Sequence, residues 1–98
     1  MLYLVCYDIV PDKLRLSVAN QLLTMGLERV QRSVFVGPLT PDHHQTLLDW
    51  LAQCLPDDDT VQCLVLPLTE YTVHQAYCRG SPPPDWTYLA GESHTLIL

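Results

Sequence analysis

Asp8 is the residue of this chain best placed to do chemistry. It closes a near-continuous apolar run, Leu2, Tyr3, Leu4, Val5, Cys6 and Tyr7, and is followed by Ile9, Val10 and Pro11. A carboxylate at the end of a buried strand is held by a rigid scaffold yet reaches solvent, the placement from which hard cations and phosphates are engaged. The same placement suits a turn residue whose short side chain hydrogen-bonds the backbone two residues on. Cationic candidates lie nearby in sequence: of the five Lys and Arg residues, Lys13, Arg15, Arg29 and Arg32 all fall in the first third. His43 and His44 open a helix, and His74 and His94 lie in the C-terminal part. His44 falls on an apolar helix face, so it reads as a packed structural histidine and not as a ligand.

These residues depend on the elements that carry them. An apolar strand is predicted over about residues 2 to 8, and a helix over about 12 to 25, with Asp12 as N-cap and Gly26 ending it. Leu14, Val18, Leu22 and Met25 give that helix one apolar stripe with Ala19 near its edge. Arg15, at the border of the stripe, can snorkel along the sheet or reach toward the mouth where Asp8 emerges. A short strand near 28 to 31, a bend around Arg32 and a longer strand near 33 to 39 follow. Thr40 and Pro41 form a strong helix start, N-cap then N1 proline. Leu47, Leu48, Trp50, Leu51, Cys54 and Leu55 make the buried face of this second helix, stopped by Pro56 and the Asp57 to Asp59 run. Val61 to Leu68 reads as another buried strand, whereas Thr69 to Arg79 has mixed periodicity.

The order β, α, β, β, α, β is the α+β, ferredoxin-like βαββαβ sandwich. A domain over residues 1 to 80 is expected, with a C-terminal extension over 81 to 98 in which Thr95 to Leu98 forms a short strand. Such a sheet carries helices on one face. A chain that is 48% hydrophobic is therefore expected to form a homodimer through the other face. Trp86 and Tyr88, beyond Pro82, Pro83 and Pro84, are candidates for pairing along a neighbour's sheet edge.

Composition narrows the partners. Ninety-eight residues make one domain, which buries roughly 60 to 70% of the surface of its unfolded chain without a disulfide framework. Cys6, Cys54, Cys63 and Cys78 form no C-x-x-C pair, and two of them lie in strand-like apolar runs, which suggests small buried hydrophobes in a reducing cytosol and argues against zinc ligands or disulfides. No apolar run approaches the roughly 18 residues needed to span a bilayer, so a cytoplasmic protein without a membrane partner is expected. The formal charge of −6 opposes unaided attraction to a nucleic-acid backbone, although the clustered arginines leave room for one local basic surface.

Tyr7-Asp8-Ile9, Asp12 and Arg15, Ala19 and Leu22, Gly26, Glu28-Arg29-Val30-Gln31, Ser33-Val34-Phe35 and Leu39 follow one another with a distinctive spacing. In this the chain closely resembles the CRISPR-associated protein 2 family, the small metal-dependent nucleases and structural subunits of the CRISPR adaptation machinery. The resemblance covers the first 40 residues, and the strand ending Leu66-Pro67-Leu68 is compatible with the family's fourth strand. Between Gln31 and Ser33, where the family commonly has an aromatic residue, stands Arg32.

The resemblance implies a homodimer in which Asp8 of each subunit lies near the dimer axis. There the paired carboxylates would hold Mg2+ or Mn2+ for hydrolysis of RNA or DNA phosphodiesters, making Asp8 both metal ligand and catalytic residue. Arg15, Arg29 and Arg32 would position phosphates of the nucleic acid, their planar forks suiting bidentate contact. The CRISPR adaptation integrase is the implied protein partner. Two alternatives stand beside the endonuclease: a non-catalytic subunit that bridges integrase dimers, and a ferredoxin-like module that binds a small molecule between subunits. The last lacks a glycine-rich ligand loop in this sequence.

Overall fold

The computed structural model describes residues 1–80. Strand β1 (Leu2–Ile9) is followed by helix α1 (Asp12–Thr24), strands β2 (Glu28–Gln31) and β3 (Val34–Pro38), helix α2 (Pro41–Cys54), strand β4 (Val61–Leu68) and a short helix α3 (Glu70–His74). The four strands form one sheet in the order β2-β3-β1-β4, and every pairing is antiparallel. The expected ferredoxin-like α+β arrangement is therefore what forms. The expected C-terminal strand, Trp86 and Tyr88 lie outside the described residues.

Strand β1 is central because it can be covered on both sides, and its two faces go to different surroundings. Tyr3, Val5, Tyr7 and Ile9 are buried in the main core with Val18, Ala19, Leu22, Leu27, Phe35, Leu39, Leu47 and Leu51. Each large apolar side chain withdrawn from water there contributes about 1.5–3 kcal/mol. By alternation, Leu2, Leu4, Cys6 and Asp8 occupy the opposite face. That face is not left wholly open. Val73 of α3 packs on Leu2 and Val36, with Leu4, Val30 and Leu68 around them, and closes the end remote from Asp8. The rest stays uncovered: Leu64 and Leu66 of β4 are each 47% exposed.

Local chemistry sets the boundaries of the helices. Helix α1 ends in a Schellman motif, with Leu27 N–H donating to Leu22 O (3.1 Å), Gly26 N–H donating to Leu23 O (3.0 Å), and Gly26 at φ 91°. Its start differs from expectation. Pro11, extended and with no side-chain cap, is the N-cap, and Asp12 is already helical, so its carboxylate is turned to Arg15 and not to a backbone N–H. Helix α2 begins as expected, with Thr40 Oγ1 accepting from His43 N–H (3.1 Å) and Pro41 at the first position. Leu47 and Leu51 bury its inner face and Leu55 packs beside them, whereas Cys54, expected on that face, is exposed, and Leu55 takes the core contact in its place.

The β2–β3 hairpin turns through Arg32 and Ser33 alone, without any non-glycine residue at positive φ. Arg29 faces Phe35 and Gln31 faces Val34, so Val30 is the extra residue of a β-bulge. The added twist of the bulge lets strands close over a turn that is neither Asn-Gly nor Asp-Gly.

Candidate functional site

Asp8 is exposed, one residue before the end of β1 and opposite Gln62 of β4. Among the described residues no hydrogen bond or ion pair engages its carboxylate. The turn-residue alternative, in which this side chain would cap the following backbone, is therefore not what forms. On the uncovered sheet face Cys6, Asp8, Gln62 and Leu64 border a depression of about 170 Å³. Within one chain, no group of three His, Cys, Asp or Glu residues among those described could hold a metal ion. A single hard carboxylate is a sparse site for a cation such as Mg2+, which keeps most of its waters, and a second carboxylate from another copy would make it a fuller one.

The arginines gather on the other side. A cleft of about 890 Å³ runs between α1 and β2 to the end of β1, and Asp8, Arg15, Arg29 and Arg32 all line it. Asp8 is at its rim, where β1 ends and the two sides of the sheet meet. Arg29 belongs to the helix-bearing side, since its guanidinium carbon lies 5.0 Å from the ring centroid of the fully buried Phe35. That contact is a cation–π interaction at a partly exposed site, worth about 0.5–1 kcal/mol. Arg32 stands in the hairpin turn. Arg15 is already engaged: its Nη1 donates to Ile9 O (3.0 Å) and Val10 O (3.4 Å), and its Nη2 pairs with the Asp12 carboxylate. So exposed a pair adds at most about 1 kcal/mol to stability.

His44 stacks on Tyr3, with ring centroids 4.3 Å apart and planes 15° from parallel, so it is the packed histidine its helix position indicated. Cys6 and Cys63 are half-buried, whereas Cys54 and Cys78 are exposed. Burial pushes the Cys63 thiol up to about 11, and the neighbouring Cys6 adds to the rise. Two features escaped the sequence reading. The hydroxyl of Tyr7, in the wall of the cleft, is buried with no partner among the described residues, and no pattern in the apolar run distinguishes that tyrosine from Tyr3. The other is α3, whose N-cap Thr69 accepts from Thr72 N–H; the Thr-Glu-x-Thr spacing carried the signal.

The profile of the CRISPR associated protein Cas2 family matches residues 1–76. A CRISPR-associated endoribonuclease Cas2 of Pyrobaculum aerophilum is 34% identical over 84 residues, 86% of this chain and 91% of that protein. One from Synechocystis is 38% identical over 93 residues, 89% of this chain and 97% of that one. Among solved structures, Streptococcus pyogenes Cas2 superposes with a TM-score of 0.71 at 26% identity, covering 82% of this chain and all (100%) of its own. A hypothetical protein from Thermus thermophilus gives 0.70 at 32% identity, covering 85% and 94%. No helix among the described residues is long and apolar enough to cross a membrane. The order of strands and helices and these likenesses agree, and the chain belongs to the CRISPR associated protein Cas2 family.

Proposed function

We propose that the chain is a nuclease subunit of the CRISPR adaptation machinery, active as a homodimer in which the two Asp8 carboxylates jointly hold one Mg2+ or Mn2+. The observation that carries this reading is an exposed and unpaired carboxylate at the end of the central strand, on a sheet face whose neighbouring leucines lack cover. A bound divalent cation supplies charge stabilisation at a phosphate and a water of lowered pKa. What the chain's own residues contribute is placement. The β1–β4 ladder fixes Asp8 opposite Gln62, and the apolar surround excludes bulk water once a second copy covers it. Arg29 and Arg32, in the cleft on the helix-bearing side, hold phosphates of the strand as it passes the end of β1. RNA is the first substrate to test, because curated relatives carry the name endoribonuclease.

Asp8→Ala is expected to bring Mg2+- or Mn2+-dependent RNA cleavage down to background while leaving circular dichroism and dimer mass unchanged. Cleavage that survives in rigorously purified variant protein would assign the activity to another site. A variant that unfolds would instead make Asp8 a structural residue.

The net charge of −6 favours a second reading, in which the subunit bridges integrase dimers and needs no catalysis. Nucleic-acid binding by the isolated protein is then weak at physiological salt and tightens when the integrase supplies cationic surface. Asp8→Ala would leave spacer capture and integration intact. Loss of integration in that variant would tie the carboxylate to the mechanism of acquisition.

A further inference from the structure

Arg15 has the position of a phosphate-binding residue and the bonding of a structural one. It is the fourth residue of α1, and its side chain folds back over the turn to the carbonyls of Ile9 and Val10, at 3.0 and 3.4 Å. Its second terminal nitrogen meets the Asp12 carboxylate in the first turn of the same helix. Both terminal nitrogens of the guanidinium are therefore committed to the protein. The backbone they grip begins with the residue after Asp8. That segment is held on its other side by Val10 N–H donating to Thr60 O (3.0 Å), and α1 has no side-chain N-cap of its own to anchor it. A planar fork bridging two carbonyls and a carboxylate resists twisting of the turn in a way that a single ammonium does not.

We infer that Arg15 is a positioning residue: it clamps the exit of β1 to the first turn of α1, thereby fixing the direction of the Asp8 carboxylate, and it does not itself bind phosphate. Asp12 belongs to the same device, since it orients the guanidinium. The effect on cleavage rests on the reading of Asp8 as the metal-holding residue; the effect on the turn and on binding does not. Two roles for Arg15 predict opposite things for Asp12. If Arg15 holds phosphate, removing Asp12 frees the guanidinium and deletes a repelling charge, so binding tightens. If Arg15 is a clamp, removing Asp12 loosens the same turn that removing Arg15 does.

The test compares Arg15→Ala, Arg15→Lys, Asp12→Ala and the Arg15→Ala/Asp12→Ala pair with the wild-type protein. Salt titrations of single-stranded RNA binding in EDTA should give wild-type slopes for all four, whereas each lost phosphate contact lowers the slope by about 0.7, as expected for Arg29→Ala. Amide exchange at Val10, followed by NMR, should accelerate in Arg15→Ala and Asp12→Ala. In RNA cleavage kcat should fall about tenfold with KM unchanged, the pair should be no worse than Arg15→Ala alone, and Arg15→Lys should fail to restore it. A lower salt slope for Arg15→Ala with tighter binding by Asp12→Ala, or unaltered Val10 exchange, would overturn the clamp. If the wild-type protein does not cleave RNA, the nuclease reading falls by itself, and the salt slopes and Val10 exchange still decide what Arg15 does.

Discussion

Single side chains here are governed by which face of the sheet they reach. Cys63 lies opposite Tyr7 and packs against the main core, and burial lifts its thiol from 9.0 to about 11. Because the folded protein holds this proton more tightly than the unfolded chain, the associated stability is fully present below pH 9 and is lost as pH rises toward about 11. Urea denaturation midpoints taken across that window should fall in the wild-type protein and fall less in Cys63→Ala. Iodoacetamide at pH 8, read by mass spectrometry, should label Cys54 and Cys78 first, and early labelling of Cys63 would contradict the burial. Asp8 was legible in the sequence because a carboxylate at the end of an apolar run cannot go far from where the strand places it. Arg15 was legible only as a cation near that end. Its partners are backbone carbonyls, whose positions depend on the turn that Pro11 makes, and no side-chain pattern encodes them. Cys54 misled because helical periodicity puts it on the inner face, whereas Leu55, one residue on, takes the core contact at that end of α2.

At the scale of elements, the close approach of β3 to the α1–β2 connection is fixed by a glycine. A Cβ on Gly37 would lie 2.9 Å from Leu27 Cα and 3.3 Å from Gly26 O, both backbone atoms, so nothing flexible can yield. Gly37→Ala should therefore destabilise the fold by about 1–3 kcal/mol, the range for overpacking, and lower the midpoint of chemical denaturation without changing its slope. An unchanged midpoint would mean that the connection can shift away from β3. Gly37 lies within β3, opposite Tyr3. Its neighbours come from a segment ten residues earlier, a long-range fact that local turn chemistry does not contain. Both long helices and all four strands were readable because their apolar spacing and flanking Gly, Pro and Thr agree with one another. Helix α3 was not, since five residues hold too few turns for a periodic pattern, and only its capping threonine announced it.

For the whole molecule, the face that bears Asp8 is the least finished part of the described structure. Helix α3 seals the far end of it through Val73, while Leu64 and Leu66 on β4 remain 47% exposed and flank the central strand on the side of Asp8. Burying the exposed half of such leucines in a self-complementary contact contributes about 0.7–1.5 kcal/mol each, and a two-fold interface counts every one twice. Light scattering should accordingly give about twice the 11.1 kDa chain mass. Replacing both, as Leu64→Glu/Leu66→Glu, places four carboxylates where four leucines met and should raise the dimer dissociation constant by at least about a thousandfold, ~4 kcal/mol. The helix-bearing face and the main core are untouched by these changes, so the monomer should keep its helical circular dichroism. Because each chain offers one Asp8 and no cluster of three metal-ligating side chains among its described residues, RNA cleavage should disappear with the dimer and return as protein concentration is raised. A wild-type chain that stays a folded monomer at micromolar concentration removes both the shared face and the shared metal site. Cleavage by the monomeric variant would separate the two, keeping the nuclease and discarding the paired carboxylates.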